Sequence, residues 1–126
     1  MIAFVCASYI QTIRAFQIHS EMDEFREEAD LFLVNKMFED PQLFNRFRET
    51  HFFKNIYYID TSVEKSMATL RYMYGKKYKD ILRKYSYKKV ISFNVEEIIA
   101  QVLYNLNKKQ PGFEFHCIED CPGAYN

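Results

Sequence analysis

The residues best placed to do chemistry in this 126-residue chain are two adjacent carboxylates near its end, Glu119-Asp120. Neighbouring carboxyl groups raise one another's pKa and bring one of them into the range of a general base. Pro122-Gly123 follows and enforces a tight turn, which would hold the pair in a fixed loop. An ordinary acidic turn has the same composition, so the pair alone leaves both readings open. Close by stand His116, Cys117 and Cys121. Two cysteines and one histidine fall short of the four ligands of a closed zinc site, and in a strand His116 and Cys117 point to opposite faces. No metal is expected, and Cys6 and Cys117 read as core residues, with Cys121 a loop thiol.

A second constellation is basic and aromatic. Lys76, Lys77, Lys79, Arg83, Lys84, Lys88 and Lys89 interleave with Tyr72, Tyr74, Tyr78, Tyr85 and Tyr87. Tyrosines packed inward beneath solvated lysines account for this spacing; a peripheral contact with anionic lipid head groups is the functional alternative. The acidic run Glu21, Asp23, Glu24, Glu27, Glu28 and Asp30 reads as a solvated helix end. Dinucleotide and P-loop chemistry are excluded on glycine count. The three glycines, at 75, 112 and 123, leave no Gly-rich turn after the first strand to approach a phosphate.

Short apolar runs rich in β-branched and aromatic residues must position these groups. They fall at Ile2–Cys6, Leu31–Val34, Asn55–Ile59, Lys89–Phe93 and Phe113–Ile118. Runs this short, with no alternation of polar and apolar residues, suit strands buried on both faces of a parallel sheet. Helical spacing separates them. Ser8 is placed to cap a helix carrying Ile10, Ile13 and Phe16, and Pro41 after Asp40 opens Gln42–Glu49. Thr61 or Ser62 caps a segment from Val63 to about Tyr85, interrupted at Gly75. Asn94 caps Val95–Leu106, and Pro111-Gly112 ends it. The alternation predicts one α/β domain over residues 1–126: a three-layer sandwich with a five-stranded parallel sheet in the order 3-2-1-4-5 and helices on both faces. Such sheets bind ligands beyond the carboxyl ends of their strands. That singles out Ala7-Ser8-Tyr9, Asn35-Lys36, Asp60-Thr61-Ser62, Asn94 and Glu119-Asp120-Cys121.

Composition bounds the partners. Seventeen basic and seventeen acidic residues give no net charge, so no global field draws the chain to nucleic acid or membrane. The charge is nevertheless split: residues 1–50 hold 5 Lys/Arg against 9 Asp/Glu, and residues 51–126 hold 12 against 8. Three cysteines make no paired framework, and the apolar start is broken by Gln11 and Arg14; reduced thiols, no signal peptide and a cytoplasmic setting are the expectation. Twenty-two Phe and Tyr residues in so small a domain predict an exposed apolar patch and self-association, as a dimer.

Two stretches together resemble a known family. Phe4-Val5-Cys6-Ala7-Ser8-Tyr9-Ile10-Gln11 is similar to the opening strand and turn of bacterial lipooligosaccharide sialyltransferases and related capsule polysaccharide glycosyltransferases. His116-Cys117-Ile118-Glu119-Asp120-Cys121-Pro122-Gly123-Ala124-Tyr125 resembles their acidic motif. Tyr9 stands where the family's turn has proline, and Cys121 where its acidic motif has glycine. The resemblance implies the N-terminal, acceptor-side Rossmann-like half of a two-domain, metal-independent, inverting enzyme. Asp120 then matches the general base that deprotonates the acceptor glycan hydroxyl, and Glu119 supports it. Ser8 and Gln11 fall on the turn lining the cleft. No His-Pro dipeptide occurs, so the CMP-sialic acid type of donor is expected only with a second Rossmann-like domain, and this chain alone is expected to bind no cofactor and to be inactive. A non-enzymatic α/β binding or scaffold domain is the competing reading. A receiver-type signalling domain fits less well, because its acidic pair follows the first strand.

Overall fold

The computed structural model describes residues 1–34, 46, 49, 52–59, 76, 78–94 and 97–118. Within them five strands form one sheet: β1 (Ile2–Cys6), β2 (Ala29–Leu33), β3 (Asn55–Tyr58), β4 (Lys89–Ser92) and β5 (Glu114–Cys117). All pairings are parallel and the order is β3-β2-β1-β4-β5, as the alternation of runs and helical segments implies. Position in the sheet sets burial. Every residue of β1 and β2 is buried, whereas the edge strands β3 and β5 are only partly so.

Although the central strands are apolar throughout, their side chains still alternate between two separate cores, because successive Cβ atoms leave opposite faces. Ile2, Phe4 and Cys6 join Ala15 and Ile18 of α1 (Tyr9–Glu21) on one face. Ala3 and Val5 join Leu82 of α2 (Lys79–Leu82) with Ile99 and Leu103 of α3 (Ile98–Asn107) on the other. Helices therefore cover both faces, giving three layers. No helix among the described residues is long and apolar enough to cross a membrane.

Three expectations are corrected. The cap of α3 is Glu97, not Asn94. Ser92 Oγ accepts a hydrogen bond from the Asn94 N–H (3.3 Å) and donates to the Asn94 carbonyl (2.8 Å), so the chain turns there and the helix starts three residues later. The helix expected to reach Tyr85 ends at Leu82, with Arg83 as its C-cap. Asp30 is not part of a solvated acidic end: it is fully buried in β2. Its neighbours Ala29 and Leu31 face α1, so Asp30 faces the opposite core. There one carboxylate oxygen accepts from the Asn55 backbone N–H (3.1 Å) and Nδ2 (3.0 Å), and the Tyr87 hydroxyl donates to the other. The helix expected over Gln42–Glu49, and the part of the Val63 segment that precedes Tyr78, lie outside the described residues, apart from single positions.

Candidate functional site

The topology creates one crevice. After β1 the chain moves outward through β2 to β3; it then returns past β1 to form β4 and β5 on the other side. Consequently α1, which follows β1, covers one face, and α3, which follows β4, covers the other. The connections leaving β1 and β4 diverge although the strands themselves are paired, with Val5 opposite Ser92. In parallel sheets that divergence is where ligands bind.

On the β1 side stand Ser8 and Gln11. Ser8 has the extended backbone of an N-cap (φ −151°, ψ 165°), and its Oγ accepts from the Gln11 N–H at 3.2 Å. Gln11 reaches back, its Oε1 accepting from the Ala7 N–H at 2.7 Å. The pattern approximates a capping box, in which a serine and a residue three positions on satisfy each other's free backbone donors. Thr12 closes the turn, its Oγ1 donating to the Ser8 carbonyl at 2.9 Å. Gln11 is buried and Ser8 half-buried; Tyr9, beside them, is exposed. The sequence places these residues at the crevice, and the structure adds that their polar atoms organise the first turn of α1.

On the β4 side stand Asn94, which is exposed, and Glu97, which is not. Glu97 is the group that the sequence reading missed. Its Oε1 accepts from the Ile99 N–H at 3.1 Å, capping α3. Burial pushes its carboxyl up to about 7, against the weaker opposing pull of the Ile99 and Ile98 backbone N–H groups. A carboxyl half-protonated near neutrality can give or take a proton, as an acid–base group must. The available signal was its place four residues after a buried run, beside a second glutamate in the sequence.

On the β5 side the last described residue is Ile118, whose N–H donates to the Ser92 carbonyl at 2.8 Å. Glu119 and Asp120, the predicted acid–base pair, lie outside the described residues. So do Cys121, Asn35-Lys36 and Asp60-Thr61-Ser62 from the same set of strand ends. Cys6, inside the sheet, is buried, and that burial drives its thiol far above the ordinary range, so it stays a protonated core residue. Cys117 is half-buried. Among the described residues no three His, Cys, Asp or Glu side chains gather into a metal-binding group.

Comparison of the chain with family models, with curated proteins and with solved structures returned no match.

Proposed function

We propose that this chain is the acceptor-side Rossmann-like half of a sialyltransferase-like glycosyltransferase that builds surface polysaccharide or lipooligosaccharide. The observation that carries the reading is the parallel 3-2-1-4-5 sheet, whose last described residue, Ile118, is tied to the end of β4 and is followed directly in sequence by Glu119-Asp120. In this reading Asp120 takes the proton from the attacking acceptor hydroxyl as the sugar is transferred, and Glu119 keeps it basic. Inverting transfer needs one such base and, with the leaving group stabilised by the donor domain, no metal. Ser8 and Gln11 fix the backbone of the opposite wall, and the enzyme works at the cytoplasmic side of the membrane.

The test is transfer from a CMP-sialic acid donor to a glycan acceptor by the polypeptide that joins this chain to a donor-binding domain. Loss of a general base costs about 10²–10⁴-fold in rate, so Asp120→Asn falls by that factor while Asp60→Asn keeps most activity. Parental activity in Asp120→Asn removes the assignment. One observation favours the competing reading of a binding or scaffold domain without chemistry: the Ser8 and Gln11 hydrogen bonds are those of a helix cap. That reading predicts no transfer in any combination.

A further inference from the structure

Strand β5 closes one side of the sheet, and among the described residues no strand pairs with its outer side. The Glu114 N–H donates to the Lys88 carbonyl (2.9 Å) and the Ile118 N–H to the Ser92 carbonyl (2.8 Å), so both residues aim their backbone at β4. That aim alternates along a strand. Phe115 therefore turns its N–H and carbonyl outward, as polar groups that another strand can pair. Side chains alternate as well, between the two faces of the sheet. Glu114 and His116 share one face. There His116 Nε2 lies 3.2 Å from Glu114 Oε1, the Phe25 ring meets the imidazole edge-on at 5.0 Å, and Lys89 stands 3.9 Å from Glu114. Phe115 is on the other face, under Tyr104 of α3 at 5.6 Å. Glu114 and Tyr104 are exposed, and Phe115 and His116 are half-buried.

This edge is its own complement. When two copies of a strand pair antiparallel about a two-fold axis normal to the sheet, every side chain stays on its own face. Opposed residues then differ by an even number, and the axis passes through a residue meeting itself. An axis at Glu114 opposes two carboxylates, and an axis at His116 opposes two imidazoles. An axis at Phe115 instead sets Glu114 opposite the partner's His116, and does so twice by symmetry. The backbone fits that register: Phe115 exchanges its N–H and carbonyl with the partner's Phe115. The Glu114–His116 pairs then fall at the non-hydrogen-bonded positions, where opposed side chains stand closest. On the other face the two Phe115 rings meet, beside the exposed Tyr104 of each copy.

From this self-complementarity we infer that the β5 edge is the interface of a two-fold dimer, in which two copies of the sheet join through antiparallel β5 strands centred on Phe115. The occupant is a second copy because the order Glu-Phe-His, read in reverse, places each charge-bearing group opposite its complement. The other edge strand, β3, has no charged residue in Asn55–Tyr58 to select a register. Four residues a side make a small interface, so the dimer dissociates on dilution. The inference is independent of glycosyl transfer, since it uses the side of a strand and not the crevice at the strand ends.

Sedimentation velocity of the chain from about 10 μM to about 1 mM tests it. The parent moves from monomer toward dimer across that range. Glu114→Lys sets a lysine against the partner's His116, and His116→Glu sets a glutamate against the partner's Glu114. Each opposed pair occurs twice, so either variant alone weakens the dimer at least about tenfold. Mixed in equal amounts the two variants recover it: the new lysine faces the new glutamate, and the remaining Glu114 faces the remaining His116. Exchange within one chain, Glu114→His/His116→Glu, also keeps the dimer, and it reads the register if a single variant melts early. Four results overturn the inference: a parent that stays monomeric at the highest concentration, single variants that dimerise as the parent does, a mixture that stays monomeric, or a folded exchange variant that stays monomeric.

Discussion

Replacing Glu97 with glutamine isolates the energetic consequence of burying a carboxylate at the mouth of the crevice. Burial raises its carboxyl from 4.5 to about 7, so the folded protein holds a proton that the unfolded chain releases. A group whose folded pKa is raised contributes fully below the unfolded value and loses that contribution as pH rises to the folded one. At about 1.4 kcal/mol per pH unit, the interval from 4.5 to 7 amounts to roughly 3 kcal/mol lost by pH 8. The dipole of α3 acts the other way, favouring an anion at its first turn, but by only about 0.3–1 kcal/mol. Desolvation wins. Glutamine stays neutral throughout and still offers an oxygen to the Ile99 N–H. The Glu97→Gln variant therefore matches the parent near pH 4 and exceeds it by roughly 2–3 kcal/mol at pH 8. Urea unfolding followed by tyrosine fluorescence reads the difference, since the chain has ten tyrosines and no tryptophan. A stability difference that does not change between pH 4 and pH 8 would refute the reasoning, as would one that grows toward acid.

Other substitutions test the frame around the crevice. Asp30→Ala leaves the buried Tyr87 hydroxyl and two half-buried Asn55 donors without their acceptor, and costs at least about 3 kcal/mol in urea unfolding. Tyr87→Phe removes a single donor and costs about 1.5–3 kcal/mol; a smaller cost for Asp30→Ala than for Tyr87→Phe would contradict the network. Ser8→Ala removes the α1 cap and lowers stability by about 1 kcal/mol, measured the same way. Leu103→Ala, in the core under α3, costs about 2–5 kcal/mol, whereas the exposed Ile13→Ala on α1 changes stability by less than about 1 kcal/mol.

The legible part of the fold was what local chemistry enforces. β1 was readable to the residue, because five consecutive apolar residues, Ile2–Cys6, with no polar residue at helical spacing among them, leave no amphipathic helix to form. Ser8 was readable as a cap because a short hydroxyl before an apolar stripe has one favourable use. The parallel order followed from strands that alternate with helical crossovers. At the crevice the same rules named Ser8 by position and the family resemblance added Gln11, but neither gave the hydrogen bonds that occupy them.

What the tertiary structure decided concerns polar residues whose neighbours are distant in the chain. Asp30 ends an acidic run in sequence, yet its partner Tyr87 lies 57 residues on, brought opposite by strand order and by the two-residue alternation of β2. Asn94 and Glu97 are both plausible caps; the Ser92 hydroxyl, by holding Asn94 in a turn, gives the cap to Glu97 and so buries it. The lysines before β3, β4 and β5 and the glutamates before β2 come from separate segments and meet only when parallel strands are aligned. Apolar periodicity is written in the order of residues, since each side chain's preference for the interior is its own. Pairing, desolvation and summed charge depend on distance between residues, and only the folded chain sets those distances.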